Sequence, residues 1–300
     1  MLTIPKSSFI YTFSNANHPV ARIRDGETLR LETMDNLSDM IKKDGMLLTD
    51  VDFDKEKVNP ATGPIYIENL MSGDVLEISI LNIELEEHAL VMCQAGIGVI
   101  GRYFDETTIK VMPIRDGYAV FDEKLSIPLK PMVGVMGVTP AATEQPTYML
   151  GSFGGNMDNI MVTEGSTLYL PVEVEGGLFA AGDMHAAMGD GEINCTGLEV
   201  GGAITLRFGI RRDISIKNPV LTNSCYFSTI AAGDTLDDAA NTATDDMAML
   251  LKERLPLPFD KISMLMSAVG NLEVCQVVNP KKSARFCMPN YVLDTYNFHF

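Results

Sequence analysis

The strongest constraint on the fold is a two-residue alternation of apolar and polar side chains that recurs through the first 230 residues. The segment VLEISILNIEL is typical: Leu76, Ile78 and Ile80 share one face, and Glu77 lies on the other. This pattern predicts half-buried antiparallel strands, in which one face packs on the core. Turns rich in glycine and proline separate these segments, and strands do not alternate regularly with helices. Doubly wound and TIM-barrel folds are therefore disfavoured, because both are built from βαβ units.

Helical periodicity begins only in the C-terminal part of the chain. The run LDDAANTATDDMAMLLKERL repeats apolar residues at helical spacing, with acids in the first turn and bases in the last, which predicts a helix. Asp260 is expected to cap a second helix, KISMLMSAV, and Gly270 to end it. The sequence therefore predicts a mainly β (α+β) fold in a single domain over residues 1–300. An antiparallel β-sandwich or barrel-like core would occupy residues 1–230, and residues 231–300 would contain a helical pair.

The charge balance narrows the range of partners. Forty acidic residues against 23 basic ones give a net charge of −17, and such a field repels phosphate groups. Nucleic acids and membranes are therefore not expected as partners, and no apolar run reaches the roughly 18 residues that a bilayer-spanning helix needs. The N-terminal residues lack the features of a signal peptide. Five cysteines without CxxC spacing are typical of a reducing compartment, so a cytoplasmic location is predicted.

The residues with chemical potential concentrate in the segment 168–199, LYLPVEVEGGLFAAGDMHAAMGDGEINCTGLE. Asp183 and His185 are two positions apart, so on an extended strand both side chains leave the same face. Asp and His are common ligands of divalent metals. The alternative interpretation of this pair is a polar turn whose acids are solvated.

The same segment also contains a turn that could bring a third ligand close to Asp183 and His185. Asp190-Gly191 is a turn-forming dipeptide followed by alternating residues, so a hairpin could bring Glu192 or Glu199 back over Asp183 and His185. Two carboxylates and one imidazole make up a divalent metal site that leaves room for a water molecule.

Two further groups of polar residues are candidates. Glu32 and Asp35 lie at the end of a strand, where a short polar helix capped by Asp35 is expected to begin. Acids in such a place are also common as caps or surface charges. Gly154 and Gly155 precede Asn156 in a glycine-rich loop, and their backbone N–H groups could donate to a ligand oxygen, as in an oxyanion hole. An ordinary turn is the alternative.

Several of these segments together resemble the acetamidase/formamidase family. The resemblance runs in collinear order from about residue 20 to residue 290, and its most distinctive part is the GDxHAAxGDGE run. The matching segments are Glu32-Thr33-Met34-Asp35, Asn59-Pro60-Ala61-Thr62-Gly63-Pro64, Pro131-Met132-Val133-Gly134-Val135-Met136-Gly137-Val138, Gly154-Gly155-Asn156-Met157-Asp158, residues 182–192 (GDMHAAMGDGE) and Ser267-Ala268-Val269-Gly270-Asn271-Leu272.

The resemblance implies a predominantly β enzyme that forms a homodimer or homotetramer and hydrolyses formamide or acetamide to a carboxylate and ammonia. Some similar proteins act on lactams, and the family is described with divalent ions. Zinc is the predicted ion here and calcium the alternative. This chain departs from the family at Phe153, where members often have histidine before the two glycines.

The expected mechanism uses a metal-activated water. An ion held by Asp183, His185 and Glu199, with Asp35 as the second choice for the third ligand, would lower the pKa of bound water from about 15.7 toward 7 and polarise the amide carbonyl.

The remaining roles are assigned to groups near that ion. Glu32 or Glu192 would carry the proton from water to the leaving nitrogen, and Asn156 would help the backbone of Gly154 and Gly155 to hold the developing oxyanion. Asp158 is a predicted substrate-binding residue.

Two rival functions stay open at this level. Carboxylates outnumber histidines in the acidic segment, and hard oxygen ligands suit Ca²⁺, so a non-catalytic binding protein braced by calcium is one alternative. A hydrolase for lactams or larger amides that uses the same site is the other. A cysteine nucleophile is disfavoured, because the residues flanking Cys195 indicate packing.

Overall fold

The computed structural model describes residues 1–300 and consists mainly of antiparallel strands that share one curled sheet in the form of a half-barrel. Only two strand pairs are parallel. Three helices lie in the C-terminal part of the chain. The predicted mainly β class with a C-terminal helical pair is therefore confirmed, and a short third helix is added to it. None of the helices has the length and apolar character that crossing a membrane requires.

The strands are short except for two, and they are numbered in chain order. They are β1 Leu2–Ile4, β2 Phe9–Ile10, β3 Thr12–Phe13, β4 Ala21–Ile23, β5 Thr28–Thr33, β6 Ala61–Ile67, β7 Val75–Cys93, β8 Thr108–Arg115, β9 Tyr118–Val120, β10 Ser126–Pro128, β11 Met132–Gly137, β12 Gln145–Pro146, β13 Leu150–Gly151, β14 Gly154–Asn156, β15 Thr167–Pro171, β16 Phe179–His185, β17 Glu199–Arg211, β18 Val220–Thr222, β19 Tyr226–Gly233, β20 Asn271–Gln276 and β21 Lys282–Pro289. The helices are α1 Leu236–Arg254, α2 Phe259–Val269 and α3 Asn290–Thr295, and single 3-10 turns occur at Leu48–Asp50 and Gly101–Tyr103.

The two long strands, β7 and β17, form the central pair of the sheet. They run antiparallel from Glu199 opposite Leu90 to Arg211 opposite Val75, and β5 pairs with the other edge of β17. The alternation seen in the sequence of β7 is realised in the structure, because Leu76, Ile78 and Ile80 are fully buried in the main apolar core while the residues between them are partly exposed.

The C-terminal helices pack on β19 and β21 and have their own apolar core. Thr235 caps α1, accepting a hydrogen bond at its Oγ1 from the Asp238 N–H, and Met247 and Leu251 are buried on the inner face. The predicted cap of α2 is wrong by two residues. The helix starts after Pro258, so Asp260 lies inside its first turn, where a negative charge still interacts favourably with the helix dipole.

Four neighbouring strands position the candidate site. Strand β16 pairs on one edge with β17, where His185 lies opposite Glu199. On its other edge it pairs with β11, where Met132 lies opposite His185. Strand β14 pairs in turn with β11. Because Asp158 follows β14 by two residues, this arrangement brings it to the same end of the sheet as β16.

Candidate active site and metal centre

The hairpin of β16 and β17 carries three buried polar side chains, Asp183, His185 and Glu199, which we call the hairpin side. His185 Nε2 lies 3.0 Å from Glu199 Oε1 and 3.9 Å from Asp183 Oδ1. Residues opposite each other in adjacent strands point to the same face, so the antiparallel pairing itself brings His185 and Glu199 together. The structure thus places side by side the three residues that the sequence pattern assigned to a metal site.

Two further carboxyl groups come from turns, and we call Asp158 and Glu192 the turn side. Asp158 Oδ1 lies 4.0 Å from His185 Nε2. The five residues form two overlapping groups, Asp158–Asp183–His185 and His185–Glu192–Glu199, and within each group the ligand atoms lie within 4.8 Å of one another. Asp158 was predicted to bind substrate, and the structure places it among the potential metal ligands.

The cluster contains more buried polar atoms than its own hydrogen bonds satisfy. The atoms without a partner of suitable geometry are Asp158 Oδ1, Asp183 Oδ1, both ring nitrogens of His185, Glu192 Oε2 and Glu199 Oε2. Buried side-chain polar atoms usually have a partner, and burying several unpaired charges is strongly unfavourable. The donor set of carboxylate oxygens and one imidazole matches the ligand preferences of a divalent cation.

The crowding of acids also changes their protonation. Burial, with the neighbouring charge of Glu199, raises the pKa of Asp183 well above its usual range. Burial, with the charge of Asp158, does the same to the pKa of Glu192. Several carboxyl groups in a dry site cannot all ionise without a compensating positive charge, so a cation at this place would let them do so.

Two carboxamide side chains orient the acids. Asn59 Nδ2 donates to Asp183 Oδ2 at 2.8 Å, and Asn279 Nδ2 donates to Asp158 Oδ2 at 2.9 Å. Each bond leaves the other carboxylate oxygen without a partner. Sequence analysis missed both asparagines. Asn59 lies in the NPATGP segment, which contributed only to the family resemblance, and nothing in the sequence around Asn279 marks it.

Two glycines leave the space that the cluster occupies. A Cβ atom at Gly134 would lie 2.5 Å from Asp158 Oδ1 and 2.7 Å from Asp183 Oδ2, and one at Gly197 would lie 2.5 Å from His185 Nδ1. These distances are far below van der Waals contact. Gly134 therefore lies between the hairpin side and the turn side, and its lack of a side chain leaves room for Asp158 and Asp183.

Three of the five cluster residues have left-handed backbone conformations, with φ of 42° at Asp158, 55° at Asp183 and 38° at Glu192. Positive φ is uncommon for residues other than glycine. Such conformations persist only where the surrounding structure enforces them, and they concentrate at functional sites.

The four carboxyl groups of the cluster form the floor of a pocket of about 220 Å³. The polar part of its lining is Asn36, Lys55, Asn59, Gln94, Asn156, Asp158, Asp183, Glu192, Thr196, Glu199 and Asn279. The apolar part is Leu37, Phe53, Val58, Met92, Ile97, Tyr148, Cys195 and Val278. The pocket therefore places an apolar wall opposite a floor of carboxylates and carboxamides, and Asn156 Oδ1 is buried there without a hydrogen-bond partner.

Two of the predicted acids do not belong to the cluster. Glu32 pairs with Arg30 at 2.9 Å, and its side chain is 38% exposed, because Leu31 and Thr33 occupy the inward positions of β5. This placement contradicts the predicted role of Glu32 in proton transfer. Asp35 lies in a turn and not at the start of a helix; its Oδ1 accepts hydrogen bonds from the N–H groups of residues 37 and 39, so it stabilises the turn.

The glycine pair also differs from its predicted role. Gly154 and Gly155 lie in β14 between β11 and β13 and do not line the pocket, so their backbone cannot hold an oxyanion there. Phe153 packs edge-on against Phe13 in the apolar core, with 5.5 Å between ring centroids. The departure from the family pattern at this position thus lies outside the pocket lining.

Cys195 borders the pocket, but burial raises the pKa of its thiol to about 12. A thiolate is the reactive form of cysteine, and at neutral pH this thiol is protonated. The packing role that the sequence predicted for Cys195 is in keeping with this environment.

Comparison with known proteins gives the same family over most of the chain. The acetamidase/formamidase family model matches residues 12–149 and 150–253. The structure of a recombinant "predicted acetamidase/formamidase" from the thermophile Thermoanaerobacter tengcongensis is 40% identical, with a TM-score of 0.97 over 100% of this chain and 99% of that chain. The crystal structure of acetamidase from Bacillus halodurans is 38% identical, with a TM-score of 0.95 over 98% of this chain and 99% of that chain.

A more distant relative is the formamidase of Methylophilus methylotrophus, which is 24% identical over 278 residues, or 70% of this chain and 68% of that protein. The family model, the solved structures and the curated relative all identify the same group of amide hydrolases. The chain therefore belongs to the acetamidase/formamidase family and is an amidohydrolase.

Proposed function

We propose that this amidohydrolase cleaves the carbon–nitrogen bond of small linear amides, such as formamide and acetamide, to a carboxylate and ammonia. The observation that carries the proposal is the convergence of one imidazole and four carboxyl groups, all buried, with the four carboxyl groups lining the pocket. An amide is a weak electrophile, so its hydrolysis needs an activated nucleophile, a polarised carbonyl and a proton for the leaving nitrogen. The names of the similar proteins support the choice of substrate.

We assign Asp158, Asp183 and His185 as ligands of one divalent ion, with Glu199 next to them. Two ligands bound to zinc at about 2.0–2.2 Å can be at most about 4.4 Å apart, and the Oδ1 atoms of Asp183 and Asp158 lie 3.9 and 4.0 Å from His185 Nε2. The unpaired oxygens of both aspartates are available for this role. The imidazole favours zinc, and the excess of oxygen donors keeps calcium as the alternative.

A zinc ion at this place, when bound, supplies Lewis-acid polarisation and a nucleophile at neutral pH. The protein's own groups supply the other functions. Glu192 lines the pocket with a carboxyl oxygen that has no partner, so it is placed to accept a proton from the attacking water and deliver it to the leaving nitrogen. The carboxamide of Asn156 orients the acyl oxygen of the substrate, and the apolar wall limits access of bulk water.

The direct experiment is to measure ammonia release from formamide and acetamide, before and after chelator treatment and after addition of Zn²⁺ or Ca²⁺. Activity that is lost on chelation and restored by zinc supports the proposal. Activity that is insensitive to complete removal of metal contradicts the assigned role of the ion. A folded, metal-loaded protein that releases no ammonia from either amide contradicts the assigned substrates.

A larger amide or a lactam is a second candidate substrate, because the pocket has more room than an amide of three or four heavy atoms requires. Its apolar wall would contact an acyl chain and gain free energy from burying it. We therefore propose to compare kcat/KM for formamide, acetamide, butyramide and 2-pyrrolidinone. A steady increase with acyl size would favour the larger substrates, and a maximum at formamide or acetamide would exclude them.

We also propose that the chain acts as a homodimer or homotetramer in the cytoplasm. The support for a reducing compartment is that all five cysteines are free thiols. The support for self-association is a group of partly exposed apolar residues in the loop after β7, among them Val99, Tyr103 and Phe104. Light scattering on the purified protein measures the assembly directly, and a monomer at micromolar concentration would contradict it.

A further inference from the structure

Arg285 is a buried arginine outside the pocket that contacts both turns of the turn side. Its side chain is 1% exposed in the middle of β21. The guanidinium donates two hydrogen bonds to Asp190, at 2.8 and 2.6 Å, and one to Asn159 Oδ1 at 3.0 Å. On the far side its Nε donates to Glu273 in the neighbouring strand β20 at 2.7 Å.

These partners connect directly to the two turn-side acids. Asn159 follows Asp158 in the chain, and Asp190 precedes Glu192 by two residues. Both acids have the left-handed backbone conformation described above, which needs support from the surroundings because it is uncommon for residues with a side chain. Arg285 is therefore placed to hold two unfavourable turns in a fixed relation to each other.

The backbone adds a second connection between the C-terminal strand β20 and the same turn. The Gly191 N–H donates to the Cys275 carbonyl at 2.9 Å, and the Val277 N–H donates to the Gly191 carbonyl at 3.0 Å. These bonds fix the position of Gly191, whereas the planar fork of the guanidinium fixes the orientation of the Asp190 carboxylate. Position and orientation together determine where Glu192 points.

We infer that Arg285 is a positioning residue for the reaction and that it acts through Asp190 on Glu192 and through Asn159 on Asp158. It does not line the pocket and so does not touch the substrate. The inference rests on the roles proposed for Asp158 and Glu192. A residue needed only for packing could be replaced by an apolar side chain, since buried ion pairs are often neutral for stability. In this structure Nη1 and Nη2 of Arg285 bond to the two turns that carry Asp158 and Glu192, and Nε and Nη2 also contact Glu273 in β20.

The two acidic partners of Arg285 provide a matched pair of variants. Asp190 and Glu273 have similarly exposed side chains, at 37% and 31%. Each forms a short ion pair with Nη2 of Arg285. Only Asp190 lies in the turn that carries Glu192. Asp190→Asn is therefore the test, and Glu273→Gln is the control that removes the same charge from the same arginine.

The expected result is a decrease of about tenfold or more in kcat for Asp190→Asn, with KM within about threefold of wild type, because residues that orient reacting groups typically contribute 10–100-fold. Glu273→Gln should keep kcat within about twofold. Equal decreases in the two variants, or no decrease in Asp190→Asn, would overturn the inference. Arg285→Lys, which keeps the charge but loses the fork, should resemble Asp190→Asn.

A second readout does not depend on catalysis. Hydrogen–deuterium exchange of the metal-free protein should be faster over residues 187–197 in Asp190→Asn and unchanged there in Glu273→Gln. Unchanged exchange in both variants would overturn the inference. If Asp158→Asn and Glu192→Gln leave kcat unchanged, the roles proposed for those acids fail, and the exchange result still reports whether Arg285 holds the turn.

Discussion

The two sides of the active site are held in place by different means. On the hairpin side, His185 and Glu199 face each other because β16 pairs there with β17 and is held along its other edge by β11. On the turn side, Asp158 and Glu192 lie outside regular strands, and side chains from the C-terminal part of the chain support them. The hairpin side therefore obtains its geometry from local backbone pairing, and the turn side depends on long-range polar contacts.

This difference predicts different sensitivities to mutation. A backbone ladder tolerates the loss of one side-chain contact, because many hydrogen bonds share the constraint. A turn held by one or two side chains loses its geometry when one of them is removed. The largest effect is expected at His185, which contacts both sides.

His185 is the centre of the cluster, since its Nε2 is within 4.0 Å of three carboxyl groups. His185→Ala should lower kcat/KM by roughly a thousandfold or more, because it removes a ligand whose ion contributes several kcal/mol of transition-state stabilisation. Zinc content, measured by mass spectrometry, should fall in parallel. His88, which is exposed on β7, is the matched control, and His88→Ala should retain full activity. Wild-type activity in His185→Ala would contradict the assignment of the cluster as the metal-binding active site.

A substitution at Gly134 tests whether the spacing between Asp158 and Asp183 matters for activity. Gly134→Ala should lower kcat by roughly a hundredfold, because the new methyl group must displace Asp158 or Asp183, and a shift of about 1 Å in a catalytic group can have an effect of that size. Gly209→Ala is the control: it lies in β17, where the added carbon would make only ordinary contacts of 3.4 Å or more. If Gly134→Ala retains activity while its fold is unchanged, the two aspartates do not need their observed positions.

The same contrast between the two sides explains what the sequence could predict. Asp183, His185 and Glu199 lie within one short segment, so alternation and a turn-forming dipeptide were enough to bring them together. Asp158 reaches them only through the pairing of β14 with β11 and of β11 with β16. Strand pairings over such distances leave no local trace in a single sequence, so the aspartate was identified as functional but assigned a different role.

The predicted role of Glu32 in proton transfer was wrong, and the sequence itself contained the evidence against it. Leu29 and Leu31 are inward-facing residues of β5, and the two-residue period of a strand then places Glu32 on the outer face. The prediction relied on the proximity of Glu32 to Asp35 in the chain and ignored that parity. Arg285 could not have been found in this way, because its segment, KSARFCMP, does not indicate which side-chain partners fold against it.

The asparagines provide the next test of the comparison. Asn279→Ala should lower kcat or zinc affinity about tenfold or more, because Asp158 lies in a turn and loses the donor that orients it. Asn59→Ala should have a smaller effect, because Gly182 and Met184 on either side of Asp183 remain paired with β11. Zinc titration and steady-state kinetics on both variants measure the difference. A larger loss in Asn59→Ala would show that the ladder does not protect the hairpin side.

Asp35 should have the smallest effect on activity and a measurable effect on stability. Burial raises its pKa from 3.8 to about 6, so the folded state favours the protonated form. The stability that this group contributes is present below pH 4 and is lost as the pH rises to about 6; above that, the buried charge is a full penalty. Asp35→Asn keeps an oxygen that can accept the bonds from the N–H groups of residues 37 and 39 and removes the charge.

The variant should therefore be more stable than wild type at pH 7.5, by up to roughly 3 kcal/mol for a shift of about two pH units, and equal to it near pH 4. Urea denaturation at the two pH values measures this difference, and kcat should stay within about twofold. A large loss of activity or of zinc would instead make Asp35 a ligand, as the sequence allowed. The site would then include a ligand from a third element, the turn after β5. The division into a hairpin side and a turn side would no longer describe how the acids are brought together.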